Sequence, residues 1–368
     1  MADDNRSQHH HPPPWLFGLT GIPYGVGGGF TATTMPFLAR KAGISVGDIG
    51  WYGTALLFPP IVQFLYAPIV DIGPKRKHWL ILVAAVGAVC YGLSLAMPLP
   101  SRVHAFLVLA FVGQTISGLT GSCNGGLLAT TMPDHLRGAA GGWLNVGNLT
   151  GGALGAWLTL VMAERYSPIT VGVALVALMT LPSLFILGVH EPERARRSLG
   201  EIFGTLWHDV TRVAKSRNGW TGMLLFLSPV GTAALVNYFA GIAKDYRASD
   251  GMVAFVNGPV NGLVTAAGSL IGGYLCDRTS RRAMYLLAGG LTALCGVVMM
   301  FSSLSPTTYA VGVSVYLFIT GFCYAAFGAV VLEAIGKGAA ATKYNLLAGI
   351  ANLPIIYMAY LDGKAHVW

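Results

Sequence analysis

Charge is scarce in this sequence. Only 10% of its 368 residues are Asp, Glu, Lys or Arg, against roughly 25% in soluble globular chains, too few to cover a water-facing surface. The middle of each long apolar stretch holds none of these residues and no His. The five cysteines, Cys90, Cys123, Cys276, Cys295 and Cys323, lie within or at the ends of apolar segments without a Cys-x-x-Cys neighbour. Neither a disulfide framework nor a zinc site is therefore expected. A Gly-x-x-x-x-Gly-Lys-Ser/Thr loop to cradle nucleotide phosphates is missing, which disfavours nucleotide-driven transport. So are His-Glu-x-x-His, Gly-x-Ser-x-Gly and any deep carboxylate pair, which disfavours a membrane-embedded enzyme. No metal and no cofactor is expected. A cleavable leader is not recognised either: residues 1–14, with His9, His10 and His11, are polar and run directly into a long apolar stretch. They read as a disordered cytoplasmic tail.

What is present is apolar: 54% of the residues are hydrophobic, and the 49 glycines lie largely inside the apolar runs. Glycine is more frequent in membrane helices than in soluble ones. The class is all-α integral membrane protein. The net charge of +8 is carried in short loops, which fits orientation in a lipid bilayer rather than binding to nucleic acid. About twenty apolar residues are needed to cross a bilayer core. That ruler gives eleven spans, at roughly 15–39, 46–70, 79–99, 104–131, 139–163, 168–189, 220–243, 252–276, 282–304, 308–334 and 341–361. Clusters such as Lys75-Arg76-Lys77, Arg194-x-Arg196-Arg197 and Arg278-x-x-Arg281-Arg282 fall on one side, outnumbering Arg40, Lys41, Arg102 and Arg165 on the other. The N-terminus is expected to be cytoplasmic, in a cell (inner or plasma) membrane. Residues 190–219 form the one long connection. There Leu199, Ile202, Phe203, Leu206, Trp207, Val210 and Val213 recur at helical spacing, the mark of an amphipathic helix. The expected domains are a six-helix bundle at 15–189, this cytoplasmic linker, and a five-helix bundle at 220–368 from which a twelfth span is absent.

Two segments repeat one pattern. Gly273-x-x-x-Asp277-Arg278-x-x-x-Arg282 closes one span and opens the next; Ala67-Pro68-Ile69-Val70-Asp71-x-x-x-Lys75-Arg76 does the same earlier. An acid at the end of a helix can accept backbone N–H bonds from a neighbouring helix N-terminus or pair with Arg. A bond of that kind, made in one arrangement of two bundles and broken in another, is a latch on a two-state equilibrium. Asp277 with Arg278 and Arg282, and Asp71 with Lys75 and Arg76, are the latch candidates.

Two bundles, a long link and this motif after spans two and eight resemble the major facilitator superfamily. Phe64-Leu65-Tyr66-Ala67-Pro68-Ile69-Val70-Asp71 and Ala341-Thr342-Lys343-Tyr344-Asn345-Leu346-Leu347 are similar to AmpG-type muropeptide permeases and acetyl-CoA transporters. The resemblance implies a major-facilitator-like fold, a central cavity lined by spans one, four, five, seven, eight, ten and eleven, and a small-molecule substrate. Polar side chains concentrate in those spans: Tyr24, Gln114, Asn124, Asn145, Asn148, Asn237, Asn257, Asn261 and Asn352. They are the cavity candidates, with hydrogen bonding between helices as the competing role. AmpG-like carriers often hold acids in span four, where this chain has Thr120-Gly121-Ser122-Cys123-Asn124-Gly125. Glu333, near the end of span ten with Lys337 four residues on, is the candidate coupling carboxylate; the alternative is an interfacial ion pair. The functional expectation is a monomeric secondary transporter of a small polar solute, working by alternating access with protons as a possible partner. A facilitator and a transporter-derived sensor or scaffold are the alternatives.

Overall fold

The computed structural model describes residues 11–163, 165–193, 217–237, 239–243 and 245–335, with isolated positions between 200 and 215 and between 347 and 358. The expected amphipathic helix in 190–219 and the expected span at 341–361 lie mostly outside the described residues, and Asn352 and Lys337 lie wholly outside them.

Among the described residues every regular element is helical. Helix α1 (Leu16–Gly29) passes through a π-helical turn, Phe30–Thr34, into α2 (Met35–Lys41). Pro36 accounts for the widened turn, because it has no N–H to donate and its ring crowds the carbonyl four residues back. Helix α3 (Val46–Tyr66) starts on Ser45, whose hydroxyl accepts the Asp48 amide at 3.1 Å, and tightens into a 3₁₀ turn at Ala67–Asp71. Next come α4 (Arg76–Leu95), α5 (Val103–Thr131), α6 (Arg137–Ala163) and α7 (Pro168–Leu184).

The seventh expected span is broken. Helix α8 (Arg217–Leu227) stops half-way along it, and non-helical backbone leads through Gly231 (φ 82°) and Ala233 (φ 48°) to a 3₁₀ turn, Ala234–Asn237, and a short α9 (Phe239–Ile242). Pro229 and Gly231 explain the break: one removes an amide from the helix ladder, the other takes a left-handed conformation without steric cost. Helix α10 (Asp250–Phe255) joins α11 (Asn261–Arg278) through a second π-helical turn, Val256–Val260, which contains Pro259. Helices α12 (Arg281–Phe301) and α13 (Pro306–Ile335) complete the described elements.

Six described helical stretches are long and apolar enough to cross a membrane: Trp51–Asp71, Arg76–Leu95, Val103–Thr131, Pro168–Gly188, Arg281–Phe301 and Pro306–Glu333. Helix α6, rich in glycine and amides, and the interrupted α1 and α11 are absent from that set. Helix α6 lies against both α1 and α11, while α11 also packs on α13.

Lipid offers no hydrophobic drive for helices to associate, so close backbone approach and dispersion must supply it. Along α1, Gly21, Gly25 and Gly29 meet the α6 backbone at Leu144, Asn148 and Gly152; a methyl group on Gly21 would stand 2.5 Å from the Leu144 carbonyl oxygen. The same device seats α4 on α7, where a methyl on Gly92 would lie 2.9 Å from the Gly172 Cα. Aromatic clusters fill the remaining space. Phe30 stacks near Tyr91 and Phe106 in the first bundle, and Phe239, Tyr246, Tyr309 and Tyr316 pack together in the second. Tyr246, in the connection before α10, donates to the Met299 carbonyl at 3.2 Å; burial and the neighbouring Asp245 raise its phenol above the ordinary value, keeping it a neutral donor.

Candidate functional site: a helix-capping carboxylate between two bundles and a polar interior

The end of the molecule that carries Asp71 and Asp277, called the motif end below, holds the contact between α6 and α11. Helix α6 begins at Arg137, and its first amides have no partner within their own helix. The Asp277 carboxylate, at the end of α11, accepts two of them: Gly138 N–H at 2.7 Å on Oδ1 and Ala139 N–H at 2.7 Å on Oδ2. An anion at a helix N-terminus also meets the positive end of its dipole. The turn that presents these amides is braced by Arg137, which pairs with Asp134 at 2.5 Å and donates to the Ala129 carbonyl at 3.0 Å. Arg281 crosses from α12 and donates to the Asp134 carbonyl.

Glycine makes the approach feasible. A methyl on Gly138 would lie 2.5 Å from the Gly273 carbonyl oxygen and 2.7 Å from Asp277 Oδ1, and a methyl on Gly142 would lie 2.7 Å from the Ser269 carbonyl oxygen. The Gly-x-x-x-Asp spacing thus has a geometric basis. Gly273 brings the helices together, and one turn later Asp277 reaches the amides.

The arginines of the motif take other partners than the sequence reading assigned. Arg278 lies over the Tyr274 ring, 4.0 Å from its centre, and Arg282 pairs with Glu333 at 2.9 Å. The arginine that spans the junction is Arg281. Glu333 is thus in an ion pair with the start of α12.

The earlier copy of the motif is built differently. Asp71 accepts Arg76 Nε at 2.8 Å and Nη2 at 2.5 Å, with the guanidinium buried between α4 and the Gly126 carbonyl of α5. Glu191, beyond α7, caps α4 by accepting the amides of Arg76 (3.1 Å) and Lys77 (3.2 Å), and Lys75 directly precedes that helix. These bonds hold the first bundle together.

The polar candidates fall into distinct settings. On α5, Gln114, Gly118 and Gly121 share one face. Gln114 Oε1 accepts the Tyr91 hydroxyl at 2.6 Å and the Thr31 hydroxyl at 3.2 Å. Gly118 faces Gln63 and the Tyr66 hydroxyl, and Gly121 faces the ring of Tyr24, itself 36% exposed. Gln63, buried on α3, donates to the Gly118 carbonyl at 2.8 Å and to Ser122 at 2.9 Å. Asn124 is fully buried and donates to the Thr20 carbonyl at 2.7 Å, tying α5 to α1. Asn145 and Asn148 are half-buried on α6. In the second bundle Asn257 donates to the Tyr309 hydroxyl at 2.8 Å, and Tyr309 in turn donates to the Phe239 carbonyl at 3.1 Å. Asn261 accepts from Thr265 at 2.9 Å. The backbone of Asn237 closes the 3₁₀ turn after the break, and its side chain lies outside the described residues. Tyr24, Gln114 and Asn124 are thereby brought onto α5 or its neighbours, whereas Asn257 and Asn261 belong to a separate set. Gln63, Tyr66, Tyr91 and Tyr309 are polar participants that the sequence reading did not select.

At the break in the seventh span, free carbonyls would be costly inside a bilayer. Tyr285 of α12 donates to the Val230 carbonyl at 2.6 Å, and the Tyr357 hydroxyl donates to the Leu227 carbonyl at 2.8 Å.

A family model for the Major Facilitator Superfamily matches residues 17–357. The chain belongs to the Major Facilitator Superfamily. It is accordingly a multi-pass membrane transporter rather than an enzyme. No curated protein matches the sequence. Among solved structures, the chain is similar to the E. coli fucose:proton symporter FucP at 15% identity and a TM-score of 0.71, over 96% of this chain and 91% of that one. It is also similar to the proton:xylose symporter XylE bound to 6-bromo-6-deoxy-D-glucose, at 14% identity and a TM-score of 0.70, over 96% and 88% of the two chains. The human organic anion transporter MFSD10 aligns at 16% identity and a TM-score of 0.64, over 95% and 92%. At such identities the likeness is one of fold. These structures are superfamily transporters like the chain itself, and the match is at superfamily level.

Proposed function

We propose that this transporter moves a small, neutral, polar solute by alternating access, and that the arrangement described here is closed at the cytoplasmic side. The observation that carries the reading is the Asp277 carboxylate on the amides of Gly138 and Ala139. It joins the end of α11 to the start of α6 across a glycine-lined crossing, so rocking of one bundle on the other must break it. The charge bias of the loops supports a cytoplasmic location for the motif end. Uncharged donors and acceptors on α1, α3 and α5 (Tyr24, Gln63, Tyr66 and Gln114) suit a solute with hydroxyl groups, and two of the similar structures are sugar symporters. The similarity to an organic anion transporter points the other way, but the buried cation described, Arg76, is already paired with Asp71.

A second reading, facilitated rather than proton-driven passage, is favoured by one observation. The nearest acid to a span interior, Glu333, is in an ion pair with Arg282 at 2.9 Å. The test is uptake into proteoliposomes of the purified protein, with solutes chosen by their ability to raise its thermal stability: neutral sugars and polyols against organic anions. Saturable uptake of a neutral polyol or sugar, slowed by Asp277→Ala, is expected. Saturable uptake of anions alone would sink the substrate class, and absence of any saturable flux would favour the sensor or scaffold alternative.

A further inference from the structure

Helix α1 leaves two of its residues exposed, Tyr24 and Gly28, one turn apart. At about 100° per residue they fall on an arc between two gripped faces. On one flank Gly21, Gly25 and Gly29 meet the backbone of α6; on the other Gly27 meets Tyr91 of α4 with Ser117 and Gln114 of α5. Helices α1 and α5 run antiparallel, so Thr31 stands level with Gln114, Tyr24 with Gly121 and Thr20 with Asn124. A methyl on Gly121 would lie 3.2 Å from the Tyr24 ring, so one part of the ring rests on α5 while the side chain stays 36% exposed. A methyl on Gly28 would meet open space, which makes a notch beside that ring. Gln114 is 8% exposed, and its amide is used at one end only. Oε1 accepts the Tyr91 hydroxyl at 2.6 Å and the Thr31 hydroxyl at 3.2 Å. Nε2 donates to no described residue and is not sealed from solvent, so its hydrogens are left for an acceptor from outside the protein.

An aromatic surface beside a notch, with an N–H donor about 6 Å further along the helix axis, complements a rigid ring that has C–H groups on one face and oxygens at its edge. The face of an aromatic ring is negative and attracts weakly positive C–H groups, while the amide hydrogens need a lone pair. An acyclic polyol has the oxygens but no fixed C–H face, and an anion would meet the negative face of Tyr24. We propose that the solute is a sugar in ring form, a pyranose, with its C–H face on Tyr24 over Gly28 and one edge oxygen accepting from Gln114 Nε2. This assignment rests on the neutral-solute reading above and narrows it. Tyr91 and Thr31 are positioning residues, which hold the amide oxygen so that the nitrogen faces the solute. A solute lacking the matching oxygen leaves that donor unpaired, and the discrimination follows from the loss.

The full chain is tested by thermal stabilisation and by counterflow in proteoliposomes, with D-glucose, D-galactose, D-xylose and L-fucose, each beside its alditol and its monodeoxy analogues. At least one sugar is expected to bind, with its alditol and one of its monodeoxy analogues each about tenfold weaker, the order of one hydrogen bond or one ring contact. Gln114→Glu keeps an oxygen for Tyr91 and Thr31 but loses the N–H donors. It should weaken the parent sugar about tenfold and leave that one deoxy analogue unchanged, a pattern that general loss of structure does not produce. Tyr24→Phe should bind as wild type and Tyr24→Leu about tenfold more weakly. Alditols bound as well as their sugars, or wild-type affinity in either Gln114→Glu or Tyr24→Leu, would overturn the pyranose site and leave the neutral-solute reading standing. Absence of saturable binding by every sugar and alditol would remove both.

Discussion

Asp277 is a residue whose neighbours do the persuading: two amides at the head of another helix give a carboxylate its place. Asp277→Ala leaves those two donors without an acceptor, at about 1–3 kcal/mol for each that stays buried. The balance at the motif end should then move at least about tenfold towards separation. Spin labels at His135 and Thr279, both exposed and on opposite sides of the junction, should report a longer distance in the variant; an unchanged distribution would remove Asp277 from the latch. Part of this was readable in the residues alone. An acid ending an apolar span needs donors, and the sequence around Asp277 announces that need. It does not say which donors, because Gly138 and Ala139 lie far away in the chain and the partner groups are main-chain atoms common to every residue. Spacing along a turn does not reveal which of Arg278, Arg281 and Arg282 points across the junction. Gln63 and Tyr66 escaped notice for another reason: span two was not among those expected to face the cavity.

At the scale of elements, close helix crossings and a broken span matter most. Gly273→Ala places a methyl against the Gly138 carbonyl, whereas Gly290→Ala on α12 points into open space. The first substitution should lower the transport rate severalfold and the second should leave it near wild type; equal rates in proteoliposomes would separate the crossing from function. The break after Leu227 is held by a hydroxyl from α12. Tyr285→Phe removes the donor to Val230, and an unsatisfied buried carbonyl costs about 1–3 kcal/mol, so the midpoint of thermal unfolding in detergent should fall by several degrees. An unchanged midpoint would show that water or another group serves that carbonyl. Helices elsewhere were legible because apolar length is a strong signal. The break was signalled by Ser228-Pro229 and Gly231, but prolines within spans commonly produce only kinks, and hydropathy averages across both halves of such a span. The widened turns at Phe30–Thr34 and Val256–Val260 follow from Pro36 and Pro259 only once the helix around them is known.

For the whole molecule, the two copies of the motif divide the labour. The Asp71 copy secures α4, α5 and the segment after α7 within one bundle, while the Asp277 copy reaches across to the other. Linking His135→Cys and Thr279→Cys with a flexible bis-maleimide should therefore arrest transport, while singly modified proteins remain active. Continued flux through the linked protein would rule out rocking about this junction. The two-bundle plan was visible in the repeat of the motif, since the same acid-turn-cation order recurs with the same polarity. Its unequal use was not, because that depends on Glu191 occupying the head of α4.

One consequence follows from the tyrosine hydroxyls at Val230 and Leu227. Loose carbonyls invite neighbouring turns to unravel, and here those hydroxyls seal the gap from outside the span. Because the donors at Val230 and Leu227 come from elsewhere in the chain, the gap keeps those two oxygens satisfied without any ladder of its own.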